Sequence, residues 1–222
     1  MHRRDLAILS GVVVGAMIAL SAWAWLQLPA DAQVPIHWGI DGQADAYAGK
    51  TIGLFLVPLI TAIASAVFWA IPVIEPRRAN IEKSGKAYRV IWLGTLLVLA
   101  VVDLAVVAAA LGAIYNVFTV VFLAMGAFFI AIGNYLPTVR PNYMIGIRTP
   151  WTLTSDLSWD RTHRIGGRLF VLEGAAFILI GLVQPARSVL VGILIGGIVL
   201  TLVILFAYSY RVWKQDPARR VT

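Results

Sequence analysis

The sequence has no cysteine and few charged residues, and both shortages narrow what the protein can be. Without cysteine, the chain forms no disulfides, thiolate metal sites or cysteine nucleophiles. Charged residues make up 13% of the 222 residues, hydrophobic residues make up 60%, and the mean hydropathy is +0.84. Soluble domains do not have this composition. The chain is therefore expected to lie in a membrane.

The sequence motifs of common enzymes are also missing. The chain has no HExxH motif, no glycine-rich phosphate loop and no GxSxG motif. Ser158, Asp160 and His163 lie close together in the sequence, but three residues on one short helix cannot surround a reacting atom. We therefore expect no enzymatic activity and no cofactor.

Six stretches approach the 20 apolar residues that cross a bilayer: residues 6–28, 51–74, 88–111, 117–136, 167–184 and 188–210. The first stretch is too long for the apolar core of a signal peptide, so we expect a retained helix. The sequence predicts an all-α, polytopic membrane bundle of six transmembrane helices. Residues 1–75 would form a two-span region and residues 76–222 a four-span region.

The basic residues predict the orientation of these spans. All 18 Lys and Arg residues except Lys50 and Arg187 fall on the side that holds both termini. The positive-inside rule then places the N-terminus and the C-terminus in the cytoplasm. Basic loops that face anionic lipid headgroups also explain the net charge of +7. Direct binding of nucleic acid is not expected, and the lipid membrane is the first partner.

The first of two polar segments, VPIHWGIDGQADAYAGKTIGLFLVP (residues 34–58), lies on the predicted outer side. Its prolines and the Asp41-Gly42 turn predict an ordered loop between Pro29 and Lys50. The loop is acidic, so it would suit a cationic or amphipathic peptide. The candidate ligand-binding residues are His37, Trp38, Asp41, Asp45 and Tyr47. Metal binding by His37 and the aspartates is disfavoured, because the proline and glycine disturb a ligand-like spacing.

The second polar segment (residues 133–170) lies on the predicted inner side and is rich in Arg, Trp, Pro and Asn. We expect an ordered cap with a basic part at residues 137–166 and a short helix from Asp156 to Arg164 that lies in the membrane interface. The segment either anchors the bundle to lipid or forms a docking surface. The candidate functional residues are Asn134, Pro141, Asn142, Arg148, Thr149, Pro150, Trp151, Trp159, His163 and Arg164.

Both segments resemble known signatures. PIHW followed by DGQ, at residues 35–43, resembles the small domain of unknown function at the start of SdpI-type membrane proteins. GNYLPTVRPNYMIGIRTPWTL, at residues 133–153, resembles the SdpI signature itself. The resemblance implies a multi-pass protein of the bacterial cell (inner) membrane that acts as an immunity protein against a secreted peptide toxin. It also implies a receptor that holds a cytoplasmic transcriptional repressor at the membrane.

Two acidic residues lie within predicted spans. Asp103 is far from either end of its span, where a carboxylate is either hydrogen-bonded to a neighbouring helix or part of a proton or ligand pathway. Glu173 lies nearer the inner surface, within predicted reach of Arg164 or Arg168. Asp103 and Pro58 keep open a second interpretation, a small proton-coupled transporter. An envelope scaffold without its own ligand is a third.

Glycines at helical spacing predict close contacts between helices. The residues concerned are Gly11, Gly15, Gly192, Gly196 and Gly197.

Overall fold

The computed structural model describes residues 3–39, 42–113 and 116–219. Six of its helices are long and apolar enough to cross a membrane, which confirms the predicted fold class and the number of spans. They are α1 (Arg3–Gln27), α2 (Lys50–Ile74), α4 (Gly85–Ala110), α5 (Val117–Tyr135), α7 (Asp156–Val183) and α8 (Arg187–Gln215). Their orientation in the membrane stays a prediction.

Shorter elements lie at the two ends of this bundle. One end, the hairpin end, carries β1 (Gln33–Trp38) and β2 (Ala44–Gly49). The other, the basic end, carries the start of α1, the end of α8, α3 (Arg78–Lys83), a 3-10 turn (Leu136–Thr138) and α6 (Pro150–Thr154).

The expected loop between Pro29 and Lys50 is an antiparallel hairpin. Its strands pair from Gln33 opposite Gly49 to Trp38 opposite Ala44, with an irregular register around His37. Val34 of β1 is fully buried, and its side chain occupies the place where a Cβ on Gly53 of α2 would lie. Only glycine at position 53 lets the strand approach the helix this closely.

The fifth span begins earlier than predicted. The helix α7 starts at Asp156 and runs without interruption to Val183, so the separate interfacial helix from Asp156 to Arg164 is wrong. The capping residue is Ser155 rather than Asp156, because the Ser155 side chain accepts a hydrogen bond from the Ser158 backbone N–H at 2.9 Å. The charged residues near the start of the helix lie on its exposed face, which explains the low local hydropathy.

The two prolines inside α2 leave carbonyls without helical partners, and neighbouring helices supply donors. Pro58 frees the carbonyl of Leu54, which accepts a hydrogen bond from Ser21 of α1 at 2.8 Å. The hydroxyl of Tyr88 on α4 donates in the same way to the carbonyl four residues before Pro72. Both breaks in the helix are thus satisfied by packing, as the interior of a membrane protein requires.

Paired glycines bring α5 and α7 into backbone contact. A Cβ on Gly126 would lie 2.6 Å from the carbonyl oxygen of Gly174, and one on Gly133 would lie 2.5 Å from that of Gly167. The reciprocal distances, from a Cβ on the α7 glycines, are both 2.5 Å. Any larger residue at these four positions would force the two helices apart.

The glycines selected from the sequence do not have this role within the chain. A Cβ would meet no other described atom within 4 Å at any of these positions: Gly11, Gly15, Gly192, Gly196 and Gly197. The prediction that they mediate helix packing is therefore wrong for the contacts within this chain.

Candidate functional site

Residues 139–155, called here the cap segment, form an ordered structure at the basic end around one buried side chain. Asn142 is fully buried, and its amide nitrogen donates to the carbonyls of Arg140 at 2.8 Å and Ile145 at 3.1 Å. Its amide oxygen accepts from the backbone N–H groups of Met144 at 2.8 Å and Ile145 at 2.7 Å. Asn142 therefore satisfies the backbone of a turn that has no regular secondary structure.

Hydrogen bonds attach the start of the cap segment to the first half of the chain. They run from the Asn80 side chain to the Pro141 carbonyl (2.7 Å), from the Arg140 N–H to Ser84 Oγ (2.9 Å) and from the Tyr143 N–H to Glu75 Oε2 (3.0 Å). Glu75 and Ser84 are buried. Two halves of the chain that are distant in sequence are thereby held together at the basic end.

Trp159 and His163 of α7 hold the middle of the cap segment. Trp159 donates from Nε1 to the carbonyl of Val139 at 2.7 Å, and its ring stacks on His163 at 4.1 Å. The Nε2 atom of His163 accepts from the Ile147 N–H at 3.0 Å, while Nδ1 lies 2.8 Å from the Trp159 carbonyl. A histidine that accepts at Nε2 and donates from Nδ1 is neutral.

The same two side chains are fully buried, so the expectation that they lie in the membrane interface is wrong. Their neighbour Gly146 was not predicted from the sequence as a site residue. Its φ of +108° favours glycine, and a Cβ there would lie 2.4 Å from His163 Nε2. A glycine in a segment rich in bulky residues is the sequence signal that could have found it.

The end of the cap segment is bonded to α8. Thr149 caps α6, whose first residue is Pro150, and its hydroxyl donates to Ser209 Oγ at 3.0 Å. Ser155 Oγ donates to Asp216 Oδ2 at 2.5 Å, and this bond lowers the pKa of the Asp216 carboxyl below its ordinary value. Sequence reasoning missed Ser209 and Asp216, because they lie more than 50 residues from their partners.

The remaining candidate residues of this region are less deeply packed. The ring of Trp151 lies 4.5 Å from that of Phe206 in an edge-to-face contact. Arg148 is exposed and donates to the carbonyl of Tyr143 at 2.5 Å. Asn134 is exposed near the end of α5, where its side chain bonds back to a carbonyl of the same helix, so it lies outside the cap segment. Arg164 is exposed on α7.

At the hairpin end, the candidate residues lie on the surface. His37 Nδ1 and Asp45 Oδ1 are 2.5 Å apart on neighbouring strands, with side chains 67% and 52% exposed. Tyr47 is also exposed, whereas Trp38 is half-buried. Asp41 lies outside the described residues. The structure therefore brings His37 and Asp45 together without burying them.

A cavity of about 250 Å³ lies beneath the hairpin. Residues 36–39 of the hairpin form one wall, and α4 and α5 form the others. Its lining is mostly apolar, with Val102 and Ala105 from α4 and Phe118 and Phe122 from α5. The turn of the hairpin closes over α5, since a Cβ on Gly42 would lie 3.8 Å from Phe118 Cβ.

The two acidic residues within the spans lack the expected partners. Asp103 is 1% exposed, and neither of its carboxylate oxygens has a hydrogen-bond partner among the described residues. Oε1 of Glu173 is likewise without a partner in the described part of the chain, so the predicted contact with Arg164 or Arg168 is not formed. Both arginines are on the exposed face of α7.

No group of three or more His, Cys, Asp or Glu residues that could hold a metal ion occurs within residues 3–39, 42–113 and 116–219.

Two regions of the chain match known protein families, and each region includes residues from one end of the bundle. Residues 138–209 match the model of the SdpI/YfhL protein family, and residues 12–62 match a domain of unknown function (DUF1648). The second half of the chain is therefore similar to the SdpI/YfhL family. The chain is 26% identical over 211 residues to the immunity protein SdpI of Bacillus subtilis (strain 168). The aligned region covers 94% of this chain and 96% of that protein. No solved structure matches the chain.

The matched ranges coincide with the structural units described above. The family match from residue 138 to residue 209 contains the cap segment, α7 and most of α8. Two partners of the cap segment, Tyr210 and Asp216, lie just beyond it. The match from residue 12 to residue 62 contains the hairpin and the surfaces of α1 and α2 beside it.

Proposed function

We propose that this protein is a member of the SdpI/YfhL family and protects its cell against a membrane-active peptide by binding the peptide at the hairpin end. The proposal is supported by the similarity to an immunity protein over almost the whole length of both chains. The observation that carries it is the ordered hairpin, which holds exposed polar side chains above an apolar cavity. An amphipathic peptide requires both kinds of surface.

The charge of the hairpin end favours a cationic peptide. Lys50 is the only Lys or Arg between positions 5 and 76 of the sequence. Its ammonium group donates to the carbonyls of Trp25 at 3.0 Å and Leu28 at 2.8 Å, at the end of α1. The charge of Lys50 is therefore used to complete a helix terminus. The acidic groups Asp31 and Asp45 remain at this end to attract a cation.

Expression in a peptide-sensitive bacterium tests this function. The protein should raise the peptide concentration that the cells survive, and Asp45→Asn should lower that gain while the protein stays in the membrane. Asp160→Asn is the matched control, because it removes the same charge from an exposed residue at the basic end. Equal tolerance with and without the protein, over a panel of cationic peptides, would refute the immunity function.

The cavity provides a second arm of the same experiment. Val121 lines the cavity from α5 and is half-buried, so Val121→Phe should occupy space that an apolar side chain of the peptide needs. Tolerance should fall although the hairpin charges are intact. If Val121→Phe retained tolerance while Asp45→Asn lost it, the peptide would bind to the hairpin surface and not in the cavity.

A polar cavity at the basic end supports a second proposed role, the binding of a cytoplasmic repressor. The cavity has a volume of about 500 Å³ and lies between α3 and the cap segment. Its lining includes Lys83 and Arg140, both exposed, so an acidic surface of a soluble protein would be complementary. Arg140→Glu should release such a partner from purified membranes, with Arg187→Glu at the opposite end as the control.

Asp103 distinguishes this function from a proton-coupled transporter. Its carboxyl is buried and has no hydrogen-bond partner among the described residues, as a proton pathway would require. The other feature that suggested a transporter, Pro58, is accounted for by packing, because Ser21 satisfies the carbonyl that Pro58 frees. We therefore expect Asp103→Asn to preserve peptide tolerance. Loss of tolerance, accompanied by loss of proton flux in vesicles that contain the purified protein, would favour the transporter.

A further inference from the structure

A cavity at the basic end concentrates positive charge where the bundle meets the membrane surface. It has a volume of about 600 Å³ and is formed by α1, α2, α3 and α4. Five of its lining side chains are cationic: Arg3, Arg78, Lys83, Lys86 and Arg89. Its apolar lining includes Leu6, Pro72 and Ile81. One carboxylate, Glu82, also lines the cavity.

The single acidic group does not neutralise this cluster. Glu82 Oε1 is 3.2 Å from Arg78 Nε, one helical turn away on α3, in an exposed ion pair. Lys83 and Lys86 have no hydrogen bond or ion pair with the described residues and are exposed. The ammonium groups of Lys83 and Lys86 are therefore available to donate to an anion in the cavity.

Arg3 contributes a positive charge whose position is fixed. Its guanidinium lies 4.3 Å above the ring of Trp69 and donates to the Trp69 carbonyl. Because Arg3 also lines the cavity, an anion bound there would meet this charge without first having to order the side chain.

The surroundings of the cavity match a phospholipid rather than a free anion. Trp69 is 52% exposed, and the neighbouring α2 residue Val73 is 58% exposed. Leu9 of α1, one turn beyond Leu6 of the cavity wall, is 38% exposed. These residues offer an apolar surface to an acyl chain at the level where the cations would meet a headgroup.

We propose that this cavity binds the phosphate headgroup of an anionic phospholipid from the surrounding leaflet. The excess of cations disfavours a zwitterionic lipid, since its quaternary ammonium would meet like charge. The site is separate from the hairpin end and does not depend on the immunity function. Occupation of the site would hold α1 and α2 against α3 and α4 at the membrane surface.

Native mass spectrometry of the purified, delipidated full-length protein tests the site. The protein is titrated with phosphatidylglycerol, with phosphatidylcholine and with soluble glycerol phosphate. Lys83→Gln combined with Lys86→Gln should weaken the binding of phosphatidylglycerol roughly ten- to thirty-fold, given about a factor of five for each lysine. Arg161→Gln combined with Arg211→Gln removes the same charge from exposed residues of α7 and α8 and should change binding less than about two-fold.

Each other outcome would overturn the proposal. Equal weakening in the two double variants would indicate a general charge effect. Phosphatidylcholine bound as tightly as phosphatidylglycerol would exclude selection of an anionic headgroup, and glycerol phosphate bound as tightly as the lipid would indicate a site for a free anion. If the lysine variant did not fold, the wild type in 0.5 M salt would decide, because binding that does not weaken there is not electrostatic.

Discussion

The hairpin and the cap segment are both polar stretches between apolar helices, yet the structure uses their side chains in opposite ways. In the hairpin, His37 and Asp45 bond to each other on the surface with more than half of each side chain exposed. In the cap segment, Asn142 and His163 are fully buried and bond to backbone groups. Polarity alone therefore does not distinguish a contact surface from a structural support, whereas burial does.

This difference implies different consequences of mutation at the two ends. A buried side chain that satisfies backbone groups leaves those groups without partners when it is removed, and the fold loses stability. An exposed pair contributes little to stability, so its removal changes binding instead. The following predictions test that division.

Labelling of introduced cysteines should give an all-or-none difference between the two ends. The chain has no native cysteine, and Asp31 and Asp160 are exposed at the hairpin end and the basic end. Asp31→Cys should react with an impermeant maleimide added to intact cells, and Asp160→Cys only after permeabilisation. Labelling of Asp160→Cys in intact cells would reverse the predicted orientation. Ser84 and Ser155 also lie at the basic end, but cysteines at these positions would be buried and could not report the orientation.

Removal of the Asn142 side chain should cause the largest loss of stability. Asn142→Ala leaves two carbonyls and two N–H groups of the cap segment without their partner, at a cost of about 1–3 kcal/mol for each buried group. We expect a total loss of more than about 3 kcal/mol, measured by denaturant unfolding in detergent.

Asn134→Ala is the control for this variant. Asn134 is exposed and bonds only to a carbonyl of its own helix, so its replacement should change the free energy of unfolding by less than about 0.5 kcal/mol. Similar losses for the two asparagines would show that the cap segment is not held by Asn142.

His163 of the cap region and His37 of the hairpin allow the buried and the exposed end to be compared with the same residue type. His163→Ala removes the acceptor of the Ile147 N–H and leaves a void beside Trp159, so the free energy of unfolding should fall by about 2–4 kcal/mol. His37→Ala should cost less than about 1 kcal/mol, because its bond to Asp45 is exposed.

A functional assay of the same variants separates the two kinds of effect. His37→Ala should lower peptide tolerance at unchanged protein level, whereas His163→Ala should lower tolerance in proportion to the amount of folded protein. A stable His163→Ala protein without activity would indicate that this histidine contacts a ligand after all.

Much of the fold is predictable from hydropathy, because a membrane span has a fixed length. The starts and ends of α2 and α4 are predicted within a few residues, since each is a continuous apolar stretch. The start of α7 is not, because Arg161, Arg164 and Arg168 lower the local hydropathy although they lie on one exposed face of the helix. Hydropathy reports the part of a helix that crosses lipid and not the part that extends beyond it.

Contacts between distant segments explain the other differences. Gly126 and Gly133 are important because Gly174 and Gly167 lie opposite them, and nothing in either helix alone indicates that pairing. Spacing instead favoured glycines of α1 and α8, where a Cβ would meet no other described residue within 4 Å. The hairpin is hidden for a related reason, since Val34 is buried only because Gly53 admits it to the surface of α2.

The sequence predicted the positions of both polar segments. It did not show that the side chains of the cap segment are buried while those of the hairpin are exposed. Trp159 and His163 lie four residues apart on α7 and stack on each other. Their burial depends on the path of residues 139–149 over that face, which is set by Asn142 and by partners on α3 and α8. The roles of all these residues in function stay predictions.

Acidification should reveal the smallest of the expected effects, at the contact between the cap segment and α8. Three interactions lower the pKa of Asp216 below its ordinary value of 3.8: first the hydrogen bond from Ser155, then those from the Ala218 N–H and the charge of Arg219. A carboxyl with a lowered pKa stabilises the fold above its unfolded pKa, and this contribution disappears as the pH falls through the lower, folded pKa. Asp216→Asn should therefore lower the unfolding temperature by a few degrees at neutral pH, and this difference should shrink progressively as the pH falls below 3.8. Asp160→Asn, an exposed carboxyl on α7 with no contact to the cap segment, is the matched control and should show no such pH dependence. If the two variants unfolded alike at every pH, the bond between Ser155 and Asp216 would contribute nothing to holding α8 in place. The position of α8 would then depend on the bonds that Thr149 and Ser158 make to Ser209.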